Sequence, residues 1–184
     1  MNCIKTELEG GFILKPHFFG DNRGYFFESF NQKVFNDHIV ETTFVQDNES
    51  KSRYGVVRGL HFQKPPFAQA KLLRVIKGSV LDVAVDIRKG SETYGQYVAV
   101  ELTEDNHRQL FIPRGFAHGF SVLSEEVVFQ YKCDNFYSPE SEGAILWNDL
   151  DLNINWGISE ADAVISDKDK GNKPFADLET PFEI

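Results

Sequence analysis

The stretch VVRGLHFQ (56–63) sets an arginine and a histidine, with Gly59 and Leu60 between them, inside an otherwise apolar run. Under the strict alternation of a β-strand, Val57, Gly59, His61 and Gln63 share one face, and Arg58, Leu60 and Phe62 share the other. The two cationic side chains would then point apart. A glycine inside a strand marks a bulge, and a bulge moves the register by one residue. With the bulge at Gly59, Arg58 and His61 both reach the interior; a regular strand that left Arg58 in bulk solvent would refute this. The stretch alone is also satisfied by a hydrogen-bonded core histidine and a surface arginine.

From about residue 40 onward, short segments rich in Val, Ile, Phe and Tyr alternate with Gly, Asn, Asp, Ser and Pro clusters at intervals near ten residues, the pattern of an antiparallel sandwich or barrel. The segments are TTFVQD, YGVVRGLHF, AKLLRVIKGSVLDVAVDI, GQYVAVELT, RQLFIPRGFAHGFSVL and VVFQYKCDNF. Within the third, a turn near Lys77–Ser79 joins two strands, and Leu81, Val83, Val85 and Ile87 share an apolar face with Asp82 and Asp86 opposite. Seventeen phenylalanines suit a barrel lined with apolar rings. Helical signal is confined to NQKVFNDHI and part of SEADAVISDKDKG. The first 50 residues read as a strand and an extended arm, the last 30 as an irregular tail packed over the barrel. Residues 1–184 are expected to form one all-β domain.

A net charge of −9 argues against a nucleic-acid partner held by phosphate neutralisation. Cys3 and Cys133 lack metal-type spacing, and neither a charged-then-apolar leader nor an apolar run of about 18 residues is present. The expectation is a cytoplasmic, reduced protein without a membrane partner.

Each candidate for chemistry has a structural reading beside the functional one. Lys71 heads the row Lys71, Leu73, Val75, either as an end residue snorkelling to water or as a buried cation awaiting an anion. His118 follows a Pro-x-Gly turn in IPRGFAHGF (112–120). Tyr131 shares a face with Val127, Phe129 and Cys133. The spacing from Gly55 to His61, and Pro113-x-Gly115-x-x-His118, resemble parts of the two motifs of the cupin barrel. Metal-binding cupins follow the first histidine with a second and then a glutamate. Here Gln63 takes the second place, and residues 64–78 contain no acidic side chain. Two histidines flanked by Lys and Arg make a poor divalent-metal site but suit an anion or a developing negative charge. No metal and no cofactor is expected.

GDNRGYFFESF (20–30), FVQDNES (44–50), VVRGLHFQ, KLLRVIKGSVLDVAVDIRKGS (71–91), IPRGFAHGF, the Tyr131 strand and SDKD (166–169) occur in the order found in the dTDP-4-dehydrorhamnose 3,5-epimerase family, which the chain resembles over nearly its whole length. The resemblance implies a metal-free cupin-like jelly-roll barrel with an N-terminal arm and a short, partly helical C-terminal tail. It also implies epimerisation at C3 and C5 of dTDP-4-dehydro-6-deoxy-D-glucose, in dTDP-L-rhamnose biosynthesis. Protons beside the C4 ketone are acidic if the enolate is stabilised, so the site needs a base, an electropositive group and an acid on the far face.

By the resemblance, His61 is the base, Asp169 orients it, Lys71 faces the C4 oxygen and Tyr131 is the acid. Arg58 and His118 bind near the sugar and phosphates. Arg23 and Glu28 match nucleotide-contacting positions, Phe26 is a candidate to stack on thymine, and Gln46, Asp47, Asn48, Glu142 and Lys168 match further substrate-binding positions. Family members are homodimers whose arm reaches the neighbouring subunit. Epimerases that invert only C3 or only C5 share the base and the barrel, and a non-catalytic sugar-binding cupin is the rival of another class.

Overall fold

The chain alternates strands and tight turns because its β-branched and aromatic residues cluster in short runs broken by Gly, Pro and Asn. The computed structural model describes residues 1–184. In chain order these are β1 (Asn2–Lys5), β2 (Phe12–Lys15), β3 (Phe19–Asp21), β4 (Gly24–Phe26), helix α1 (Gln32–His38), β5 (Gln46–Arg53), β6 (Val57–Gln63), β7 (Lys71–Lys77), β8 (Ser79–Asp86), β9 (Tyr97–Thr103), β10 (Gln109–Ile112), β11 (Phe116–Val122), β12 (Glu126–Cys133), β13 (Glu142–Ala144) and helix α2 (Asp167–Lys170). One sheet runs β1-β2-β10-β7-β12-β5, the other β13-β6-β11-β8-β9, and β3 pairs with β4 as a separate hairpin. All pairings within these sheets are antiparallel, and the two larger sheets form the cupin-like jelly roll. Between them, Leu73, Val75 and Phe129 of one sheet pack with Ala84, Phe120 and Leu102 of the other.

The turn in VIKGSVLDVAVDI is where expected, but it joins two sheets rather than the arms of one hairpin: β7 lies in one and β8 in the other. Gly78 makes that corner with φ +82, a backbone any side chain would strain, and a Cβ there would run into the Glu126 carbonyl. The strand expected from TTFVQD begins only at Gln46. Upstream, Thr42 is diverted, its N–H donating to Asn36 Oδ1 and its hydroxyl to Asp134 Oδ2. Both short helices form, each with a side-chain N-cap: Asn31 accepts from the Val34 N–H, and Ser166 from the Asp169 N–H.

The alternation of β8 is as read. Its apolar face, however, turns outward, where Val83, Val85 and Ile87 pack with Val57, Leu60, Ile145, Trp147 and Trp156. The segment after β13 thus provides a second apolar layer, each large side chain fully buried there contributing roughly 1.5–3 kcal/mol. The opposite face of β8 carries the fully buried Asp82 and Asp86. Asp86 is locked by Arg88, Ser91 and Thr93. Asp82 reaches the site.

Candidate active site

The site begins at the break in β6. Against β11, His61 pairs with His118 and Arg58 with Phe120, so Gly59 and Leu60 of β6 oppose Gly119 alone on β11, the extra residue of a bulge. Gly59 sits there with φ +123, and a Cβ would come within 2.7 Å of the His118 carbonyl oxygen. Gly119 faces it from β11, as closely approached by the Arg58 carbonyl. The result matches the expectation for this stretch: Arg58 and His61 line the same cavity, of about 650 Å³, with Lys71, His118, Tyr131 and Asp169. Arg58 is exposed through that cavity, and its guanidinium donates to Ser52 Oγ at 3.2 and 3.3 Å.

Both histidines that line this space are paired with a carboxylate. His61 Nε2 lies 2.6 Å from Asp169 Oδ1. Asp169 enters from the first turn of α2. Burial alone would raise its pKa, but the hydrogen bond and charge of His61, with contributions from Ser166 and the Gly59 N–H, hold it below the usual carboxylate value. With Nε2–H donated to Asp169, Nδ1 keeps its lone pair. In the second pair, His118 Nε2 lies 3.0 and 3.1 Å from the two oxygens of Asp82. Here desolvation dominates, pushing His118 down and Asp82 up, so burial disfavours charge on both.

Lys71 and Tyr131 come from the other sheet. Lys71 Nζ is 5.9 Å from the Tyr131 ring centroid. No carboxylate pairs with it; burial lowers its pKa, offset only through space by Cys133, Asp82 and Glu142. Burial raises the Tyr131 phenol, with a smaller opposing influence from Arg58.

The remaining sequence candidates divide. Asn48 and Lys168 line the cavity. Gln46 and Glu142 line a smaller adjoining chamber of about 230 Å³, where Glu142 binds Lys168 Nζ and the Tyr137 hydroxyl. Asp47 is not brought in: alternation along β5 turns it to the exterior, where it pairs with Lys132. Arg23, Phe26 and Glu28 also lie outside this chain's cavity, on or beside the exposed β3–β4 hairpin; Arg23 is held by Asp21 and Glu28 by Asn31. Gln63 is buried and accepts from the Ser138 N–H. No group of three or more His, Cys, Asp or Glu side chains is arranged to hold a metal ion. Sequence reading missed Ser52 and gave Asp82 little weight. Its signal was a carboxylate inside a strand of otherwise strict apolar alternation.

The profile of the dTDP-4-dehydrorhamnose 3,5-epimerase family matches residues 5–177. The chain belongs to that family. A dTDP-4-dehydrorhamnose 3,5-epimerase of Shigella flexneri is 53% identical over 180 residues, covering 97% of this chain and 98% of that protein. The structure of the Elizabethkingia anophelis 3,5-epimerase is 53% identical, with a TM-score of 0.93, covering 96% of this chain and 97% of its own. A Legionella pneumophila 3,5-epimerase, solved in complex with dTDP-4-keto-L-rhamnose, is 46% identical, also with a TM-score of 0.93, covering 97% and 94%. As a 3,5-epimerase, the chain is an isomerase that converts dTDP-4-dehydro-6-deoxy-D-glucose to dTDP-4-dehydro-L-rhamnose. No helix is long and apolar enough to cross a membrane.

Proposed function

We propose that the inversions are run by His61 as base and Tyr131 as the opposed acid, with Asp169 orienting His61 and Lys71 stabilising the enolate at the C4 oxygen. The observation that carries this is the short bond between His61 of one sheet and Asp169 of the tail helix, in one cavity with Tyr131 and Lys71 of the other sheet. An inversion needs a proton taken from one face and another delivered to the opposite face, and a single histidine returning its own proton would restore the starting sugar. Asp169 fixes the tautomer and stabilises the imidazolium that forms. An ammonium in a site largely screened from water stabilises a developing oxyanion more than one in bulk solvent does. Arg58, held by Ser52, and Lys168 carry positive charge at the cavity wall for the diphosphate.

We further propose that the epimerase works as a cytoplasmic homodimer in which the arm supplies Arg23, Phe26 and Glu28 to the partner's cavity. The hairpin exposes Phe19, Tyr25 and Phe26 by 65, 61 and 71%, aromatic surface that this chain leaves uncovered. Both cysteines are free thiols, which fits a reducing compartment.

Tyr131→Phe separates the catalytic roles. The variant should still exchange substrate hydrogen with heavy water through His61 while completed epimerisation falls by about 10²-fold or more. Equal loss of exchange and epimerisation would refute separate roles. Mixing His61→Ala with Arg23→Ala subunits tests the arm. An exchanged arm restores one working site per hybrid dimer, whereas an arm serving its own chain restores none.

A further inference from the structure

If His61 and Tyr131 act as proposed above, a double inversion leaves a proton-balance problem inside the site. In the first inversion a C–H bond breaks, its electron pair enters the enolate and its proton goes to His61. The enolate carbon then takes a proton from Tyr131. The substrate has gained as many protons as it lost, but the enzyme now holds an imidazolium and a phenolate. Before the second carbon can be inverted, one proton must travel from His61 to Tyr131. The sugar ring stands between them, because base and acid must address opposite faces.

The smaller chamber beside the cavity has the geometry for this transfer. Its walls include both His61 and Tyr131, and it shares Asn48 and Lys71 with the main cavity. The rest of its lining is largely polar: Gln63, Gln69, Tyr137 and Glu142 line it, along with Cys133. These groups are held in place, Tyr137 donating to Glu142 at 2.9 Å, Gln69 to the Asn135 carbonyl at 2.8 Å and Gln46 to Asn48 at 3.0 Å. A polar space of about 230 Å³ has room for several waters with two or more partners each.

We propose that this chamber is a proton-return passage: waters held in it carry the proton from His61 around the bound sugar to Tyr131 between the two inversions. The imidazolium gives a proton to a chamber water, another chamber proton closes the phenolate, and both groups return to their starting forms with no co-reactant. Burial, which raises the Tyr131 phenol, makes its phenolate an avid acceptor.

Cys133 offers access to the passage and is itself neither the proposed base, the acid nor a proposed binding group; its sulfur accepts from Asn48, and serine in its place keeps an acceptor there. It lies buried on β12 opposite Lys71, its sulfur 3.7 Å from Asn48 Nδ2. Cys133→Val fills the chamber wall with apolar bulk, whereas Cys133→Ser keeps it small and polar. Single-turnover quenching of dTDP-4-dehydro-6-deoxy-D-glucose in heavy water should show the first inversion of Cys133→Val within about two-fold of the parent. The singly inverted ketone should accumulate about ten-fold above the parent level, with Cys133→Ser behaving as the parent. Gln69→Leu, which dries the chamber from the loop before β7, should give the same partition and covers the case in which Cys133→Val folds poorly. An unchanged partition in both variants, or equal slowing of both inversions, overturns the passage. Failure of the His61 and Tyr131 assignment shows separately, as substrate exchange that survives His61→Ala.

Discussion

The two histidine–carboxylate pairs are the same two side-chain types at hydrogen-bond distance, 2.6 Å for His61 with Asp169 and 3.0 Å for His118 with Asp82, yet they are built for different work. His61 keeps 32% of its side chain exposed to the cavity, and its carboxylate arrives from the C-terminal tail. His118 keeps 8% and Asp82 none, with both on adjacent barrel strands. Where water and substrate can reach the imidazole, a carboxylate with a depressed pKa can support a cycle of charging and discharging. Where the imidazole shows only an edge to the cavity, burial opposes charge on it and on its carboxylate, an arrangement suited to a hydrogen-bonded strut in the cavity wall. Exposure of the ring, not identity of the pair, separates the proposed base from the buried pair.

The largest expected effect tests the open pair. His61→Ala should lower kcat by about 10³-fold, within the range for losing a positioned base, and abolish substrate hydrogen exchange as followed by NMR in heavy water. Residual exchange near the parent rate would move the base elsewhere and dissolve the contrast. The sealed pair should respond in stability instead. Asp82→Ala leaves a buried imidazole N–H without its acceptor, costing about 1–3 kcal/mol in denaturant unfolding, with a kcat loss far smaller than that of His61→Ala. A kcat loss approaching that of His61→Ala would make the second pair a chemical partner rather than a strut.

The smallest effect sharpens the comparison through pH. Asp169 has a folded pKa below its unfolded value, so its stabilising contribution is fully present above the unfolded value and fades as pH falls through the folded one. The difference in Tm between the parent and Asp169→Asn should therefore be constant near neutrality and shrink below about pH 4. A difference that grows on acidification would reverse the sign assigned to this carboxylate.

Much of the site was legible because its signals are local. The glycine in VVRGLHFQ, Gln63 in place of a second histidine and the absence of acids from 64 to 78 are properties of short stretches, and they pointed to a cavity suited to acid–base chemistry. The strands of β6 to β12 were legible because alternation and turn residues act over a few positions. Three features escaped. The alternation of β8 gave its two faces but not which was inward, because both are buried: one by the opposite sheet and one by the tail. Asp47 and Asn48 are adjacent in FVQDNES, and only the pleat of β5 against β12 sends Asn48 to the cavity and Asp47 to Lys132. Ser52 is an unremarkable strand residue until the bulge brings Arg58 onto it.

The sequence by itself determined that this is an all-β chain, offered a bulge at Gly59 as one of two readings of the strand carrying Arg58 and His61, and its ordered motifs identified the epimerase family it resembles. Those outcomes depend on residue type and on separations of a few positions. Only the tertiary structure decided which histidine stays open to the cavity, that Asp82 is the carboxylate His118 meets, and that Lys71 and Tyr131 line the cavity from the other sheet. Asp169 lies 108 residues from His61, and Asp82 lies 36 from His118. At such separations, which groups meet is set by how two sheets and a tail bury their apolar faces together, information that no local pattern carries.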